Sequence, residues 1–108
     1  MRLSFILFSI MVFWPGFVYA EIPEIQMVIK DHISTPDHIE IAAGQKVKLV
    51  IQNKDTAAEE FDSSDLNREK VIPANSTGAV FIGPLSSGTY AFIGEFNATT
   101  AKGNILVK

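Results

Sequence analysis

From residue 25 onward apolar and polar side chains alternate in short runs, and no stretch keeps a helical period. Ile25-Gln26-Met27-Val28-Ile29 places Ile25, Met27 and Ile29 on one face of an extended chain. His38-Ile39-Glu40-Ile41 alternates strictly, and residues 47–52 turn Val47, Leu49 and Ile51 to one side. Residues 79–82, 90–93 and 104–107 are further β-branched or aromatic runs, and 70–72 predicts a shorter strand. Residues 64–69 predict a single helical turn capped by Ser64 or Asp65. Turn signals punctuate the runs at Thr35-Pro36-Asp37, Ala43-Gly44-Gln45, Asn53-Lys54-Asp55, Pro73-Ala74-Asn75, Gly83-Pro84 and Lys102-Gly103-Asn104. About seven short strands at this spacing predict an all-β sandwich or small barrel.

Strand direction makes the pattern more specific. If the strand at 25–30 points up and successive strands reverse, loops 31–37, 53–62 and 94–102 meet at one pole. These loops carry His32, Asp37, Asp55, Glu59, Glu60, Asp62 and Glu95. Loops at one end of a sandwich are a common place for a binding site.

The first twenty residues follow another rule. Arg2 precedes an apolar run from Leu3 to Phe13, Pro15 and Gly16 break it, and Val18-Tyr19-Ala20 provides a cleavage site. That order predicts a secretory signal peptide over 1–20, cut after Ala20. The run is too short for a membrane span of about 20 apolar residues. The mature domain, 21–108, is then expected to be soluble and exported.

Charge and composition remove several function classes. The chain has 9 Lys+Arg against 12 Asp+Glu, and loss of Arg2 takes the formal charge from −3 to −4. No basic excess exists to neutralise phosphates, so nucleic acid is not an expected partner. The absence of cysteine excludes disulfides, thiolate metal sites and cysteine nucleophiles together. No nucleophile elbow or phosphate-cradling glycine loop is present. Carboxylate and imidazole metal binding at the pole is the remaining chemistry. Glu95 stands out there, set between a bend-permitting Gly94 and an anchoring Phe96.

Several stretches together carry a family likeness: Ile29-Lys30-Asp31-His32 with Pro36, Ala43-Gly44-Gln45-Lys46-Val47, Glu59-Glu60-Phe61-Asp62, Leu66-Asn67-Arg68-Glu69-Lys70, and Gly94-Glu95-Phe96 with Thr100-Ala101-Lys102-Gly103. Residues 21–108 resemble periplasmic cupredoxin-like proteins of bacterial high-affinity iron uptake. Such proteins occur as stand-alone partners of iron permeases and as the front domain of imelysin-containing iron-uptake proteins. The resemblance implies a cupredoxin-like Greek-key β-sandwich in the periplasm. It further implies copper or iron handling, with an inner-membrane iron permease and companion uptake proteins as partners, and assistance to ferrous iron oxidation or delivery.

The sequence departs from that pattern in its ligands. A type 1 copper centre takes two histidines, a cysteine thiolate and a weak axial ligand such as methionine. This chain has no cysteine, no methionine after Met27 and no histidine after His38. Stand-alone relatives place a histidine directly after Gly-Glu-Phe, where Asn97 stands, and some carry one where Ser63 and Ser64 stand. The metal ligands expected here are therefore Glu60 and Glu95, supported by His32. An accessory role fits better than an oxidase, because a lone weak metal centre supplies no electron acceptor. The alternative is a metal-free module that docks on the permease or a redox partner through the same pole.

Overall fold

The computed structural model describes residues 21–108; the segment 1–20, with its expected signal and cleavage point, lies outside them. Nine strands follow in order: β1 (Glu24–Lys30), β2 (Ile33–Thr35), β3 (His38–Ile41), β4 (Val47–Asn53), β5 (Glu59–Ser63), β6 (Arg68–Ile72), β7 (Thr77–Ile82), β8 (Gly88–Gly94) and β9 (Lys102–Val107). A 3₁₀ turn, Glu95–Asn97, follows β8. One sheet has the order β2-β1-β4-β7 and the other β3-β9-β8-β5-β6. The expected all-β sandwich is present, with nine strands where about seven were expected.

The alternating pattern becomes the core. Met27, Ile29, Ile39, Ile41, Val47, Leu49, Ile51, Val80, Ile82, Phe92, Ile105 and Val107 are all buried, each from the inward face of its strand. Phe61 and Phe92 meet between the sheets with ring centroids 5.4 Å apart and planes tilted by 31°. Fully burying side chains of this size stabilises the fold by roughly 1.5–3 kcal/mol each.

Two expectations need correction. Residues 59–62 were expected within the irregular loop 53–62, but they belong to β5, an inner strand of its sheet. Residues 64–69 were expected as a helical turn; instead a tight turn at 64–67 leads directly into β6. Asn67 takes a left-handed backbone, φ 53°, which ends any helix there. The capping oxygen is that of Ser63, which accepts from the Leu66 N–H at 3.1 Å.

β1 runs parallel to β4, whereas β8 runs antiparallel to both β5 and β9. The ends of β1, β4 and β8 therefore gather near the starts of β5 and β9. Loops 31–32, 54–58 and 95–101 form one pole, as the strand-direction reading expects.

Candidate functional site

The β1–β2 hairpin turns through Asp31 and His32, both left-handed with φ of 53° and 60°. Two successive residues of positive φ make the tight turn that matches strand twist. Asp55 holds it in place. Its carboxylate accepts from the Asp31 N–H at 2.7 Å and the His32 N–H at 3.0 Å. The backbone N–H of His32 is the main cause that keeps the Asp55 carboxyl below its ordinary range. Burial opposes that effect, and the Asp31 N–H and nearby His32 and Lys30 reinforce it.

Beneath Asp55 the buried Asn53 amide shares its protons among the carbonyls of Ala57 at 2.9 Å, Ile72 at 3.1 Å and Pro73 at 3.3 Å. Its own carbonyl accepts from the Asp55 N–H at 3.0 Å. Loop 54–58 is thus tied both to the other sheet and to the hairpin.

The next layer belongs to Glu59, whose side chain enters the pole from β5 and is only 2% exposed. Its Oε1 accepts from Phe96 N–H at 2.9 Å and Glu60 N–H at 3.1 Å, and its Oε2 accepts from Asn97 Nδ2 at 2.7 Å. A buried carboxylate needs such donors to offset its lost hydration. Glycine at position 94 is required by this close approach. A Cβ there would fall 2.7 Å from Glu59 Cδ and 2.7 Å from Ala101 Cβ.

Because β5 alternates, Glu60 and Asp62 point to the outer face. Glu69 sits directly opposite Asp62 on β6, and Glu95 opens the 3₁₀ turn beside them. Like charges crowd here. The Glu95 carboxyl is pushed above its ordinary value, first by its hydrogen bond to Asp62, then by the charges of Asp62 and Glu60. Burial and the charge of Glu69 add to the effect.

Of the three expected ligands, Glu60 and Glu95 therefore share one acidic strip. His32 belongs elsewhere: its ring is half exposed and its Nδ1 lies 3.5 Å from Asp55 Oδ2. Among the described residues no group of three or more histidine, aspartate or glutamate side chains is arranged to hold a metal ion. Asp62 and Glu69 join the strip, and Glu59 and Asp55 organise the pole. The signal for Glu59 and Asp62 was the alternation of Glu59-Glu60-Phe61-Asp62, which as a strand sends Glu59 inward with Phe61 and Glu60 outward with Asp62.

A family model described as a cupredoxin-like domain matches residues 3–107. The chain belongs to the cupredoxin-like domain family. Protein RP394 of Rickettsia prowazekii (strain Madrid E), itself uncharacterized, is 38% identical over 84 residues, which are 78% of this chain and 67% of that protein. The metal-binding domain of the Streptococcus pneumoniae D39 Cu(I)-exporting P-type ATPase CopA superposes with a TM-score of 0.70 at 15% identity, covering 79% of this chain and 84% of that one. Auracyanin A, a blue copper protein of Chloroflexus aurantiacus, gives 0.67 at 14% identity over 82% of this chain and 100% of its own. At such identities the likeness is one of fold.

The donors of this cupredoxin-like domain do not fit a type 1 copper centre. Thiolate is absent from the chain, and Asn97 spends its amide on Glu59 rather than facing an open coordination position. The strip offers hard carboxylate oxygens, which suit a weakly held, largely hydrated divalent ion. No helix among the described residues is long and apolar enough to cross a membrane.

Proposed function

We propose that this cupredoxin-like domain is an exported, periplasmic accessory protein of iron uptake that engages copper(II) or ferrous iron along its acidic strip. The observation that carries the reading is the crowding of Glu60, Asp62 and Glu95, which raises the proton affinity of Glu95. A cation that relieves like-charge repulsion binds where that repulsion is greatest. Glu60 and Glu95 are the principal ligands, and water completes the shell. His32 contributes only by leaving Asp55. The iron pathway and the permease as partner rest on the motif likeness of residues 59–62, 66–70 and 94–103. The domain delivers or presents the ion, or assists oxidation of ferrous iron with a partner as the electron acceptor.

The Glu59–Asn97 bond favours a second reading, a metal-free module that docks on the permease or a redox partner. It occupies the side chain at the position where relatives carry histidine. Thermal unfolding with copper(II), and anaerobically with ferrous iron, separates the two. A ligand at a hundredfold excess over its dissociation constant stabilises by about 2.7 kcal/mol, or roughly 10–20 °C for a domain of this size. Glu60→Gln and Glu95→Gln should abolish that shift. A midpoint that neither metal moves leaves the docking module as the reading; a shift that survives both substitutions puts the metal elsewhere.

A further inference from the structure

We infer that the open edge of β7 is a strand-addition site for an extended segment of a partner protein in which apolar and acidic side chains alternate. The edge lies in the opposite sheet from the acidic strip, so this inference does not depend on metal binding.

The phase of the β4–β7 ladder shows which groups point away from β4. Asn53 N–H donates to Ser76 O at 2.8 Å. In an antiparallel ladder hydrogen-bonded pairs alternate with unbonded ones, so Gly78, Val80 and Ile82 also bond to β4. Thr77, Ala79 and Phe81 consequently aim N–H and C=O away from it. Arg68 confirms the phase from outside, its Nε donating to Phe81 O at 3.1 Å. Among the described residues β7 pairs with β4 alone, and Arg68 is the one side chain bonded to its outer carbonyls. The strand itself, Thr-Gly-Ala-Val-Phe-Ile, carries no charge or proline, the devices that usually discourage pairing at an edge.

The flanks decide what fits. On the outer face Phe81 is 45% exposed, with Lys46 Nζ 5.0 Å from its ring centroid. On the inner side β6 passes close beneath: a Cβ at Gly78 would lie 2.8 Å from Ile72 Cδ1 and 3.7 Å from Lys70 Cε. Arg68 and Lys70 thus border the inner side, while Glu69 between them faces away, opposite Asp62. An added strand would set one row of side chains beside Phe81 and Ala79, and the other beside Arg68 and Lys70. Apolar residues suit the first row and acidic residues the second. A second copy of the chain suits it poorly, because pairing two β7 edges would bring both sets of Arg68 and Lys70 together.

The test uses a short capped peptide alternating valine and glutamate, with a valine–lysine peptide as its counterpart. The glutamate peptide should bind and slow amide exchange at Thr77, Ala79 and Phe81, and the lysine peptide should do neither. Ala79→Pro removes one outward N–H without touching the β4 ladder and should weaken binding at least about tenfold. Lys70→Glu should weaken it severalfold through charge, and the loss should shrink in high salt. Should Ala79→Pro fail to fold, exchange in the unaltered protein still decides. Equal binding of both peptides, no slowing at the three amides, or self-association of the protein through this edge in sedimentation would overturn the inference.

Discussion

Asn97 and Glu59, 38 residues apart in sequence, are joined by a 2.7 Å bond from amide to buried carboxylate. That bond ties the turn after β8 to the first residue of β5, and the Phe96 N–H bond to the same carboxylate reinforces it. Whatever binds at the outer strip does so on a support that this pair keeps in place.

Asn97→Ala should cost about 1–3 kcal/mol, the penalty of leaving a buried polar group short of a partner. Urea unfolding should show a lower midpoint with an unchanged slope, since the surface exposed on unfolding stays the same. A midpoint within error of the parent would mean that the backbone donors alone satisfy Glu59.

Gly94→Ala probes the same contact by volume. The new methyl overlaps Glu59 and Ala101, and overpacking of this kind costs about 1–3 kcal/mol. The melting midpoint should fall by several degrees, since each kcal/mol is worth roughly 4–8 °C here. An unchanged midpoint would show that loop 95–101 yields easily.

Acid should loosen the β1–β2 hairpin through Asp55. Its folded carboxyl lies below the unfolded value, so its stabilisation is present above the ordinary carboxylate range near about pH 4 and disappears as pH falls through the depressed value. Asp55→Asn should flatten this part of the acid limb. Exchange of the Asp31 and His32 amides, followed against pH, reads it directly.

Glu95 has the opposite sign. Its folded carboxyl is raised, so the charged form is disfavoured in the native state and stability is recovered as pH falls into its titration range. Glu95→Gln should therefore raise the metal-free midpoint at neutral pH. The gain should shrink at acidic pH and in high salt, which screens exposed charges. A gain that persists in acid would point to a packing effect instead.

The sandwich was legible because most strands bury alternate apolar residues: β1, β4 and β9 each read inward as branched or sulfur-containing side chains. β5 hid for the converse reason. Its inward positions are Glu59, Phe61 and Ser63, two of them polar; donors from another loop satisfy Glu59, and the Ala91 carbonyl satisfies Ser63. β2 inverts the pattern as well, burying Ser34 while Ile33 stays exposed. Strand direction brought Glu60 and Glu95 to one pole, where they share a strip. It did not reveal that Asp55 engages His32, because that contact depends on the handedness of a two-residue turn.

His38 and Asn104 are register partners at the head of the parallel β3–β9 pairing, 66 residues apart. Until residues 102–107 emerge, β3 has no neighbour in its sheet and one flank of β8 stays bare. Pairings between such distant segments form late, because a long loop must close before any contact rewards it. The β3–β9 pairing, and with it the closed edge of β8, therefore waits on a strand made long after β3 itself.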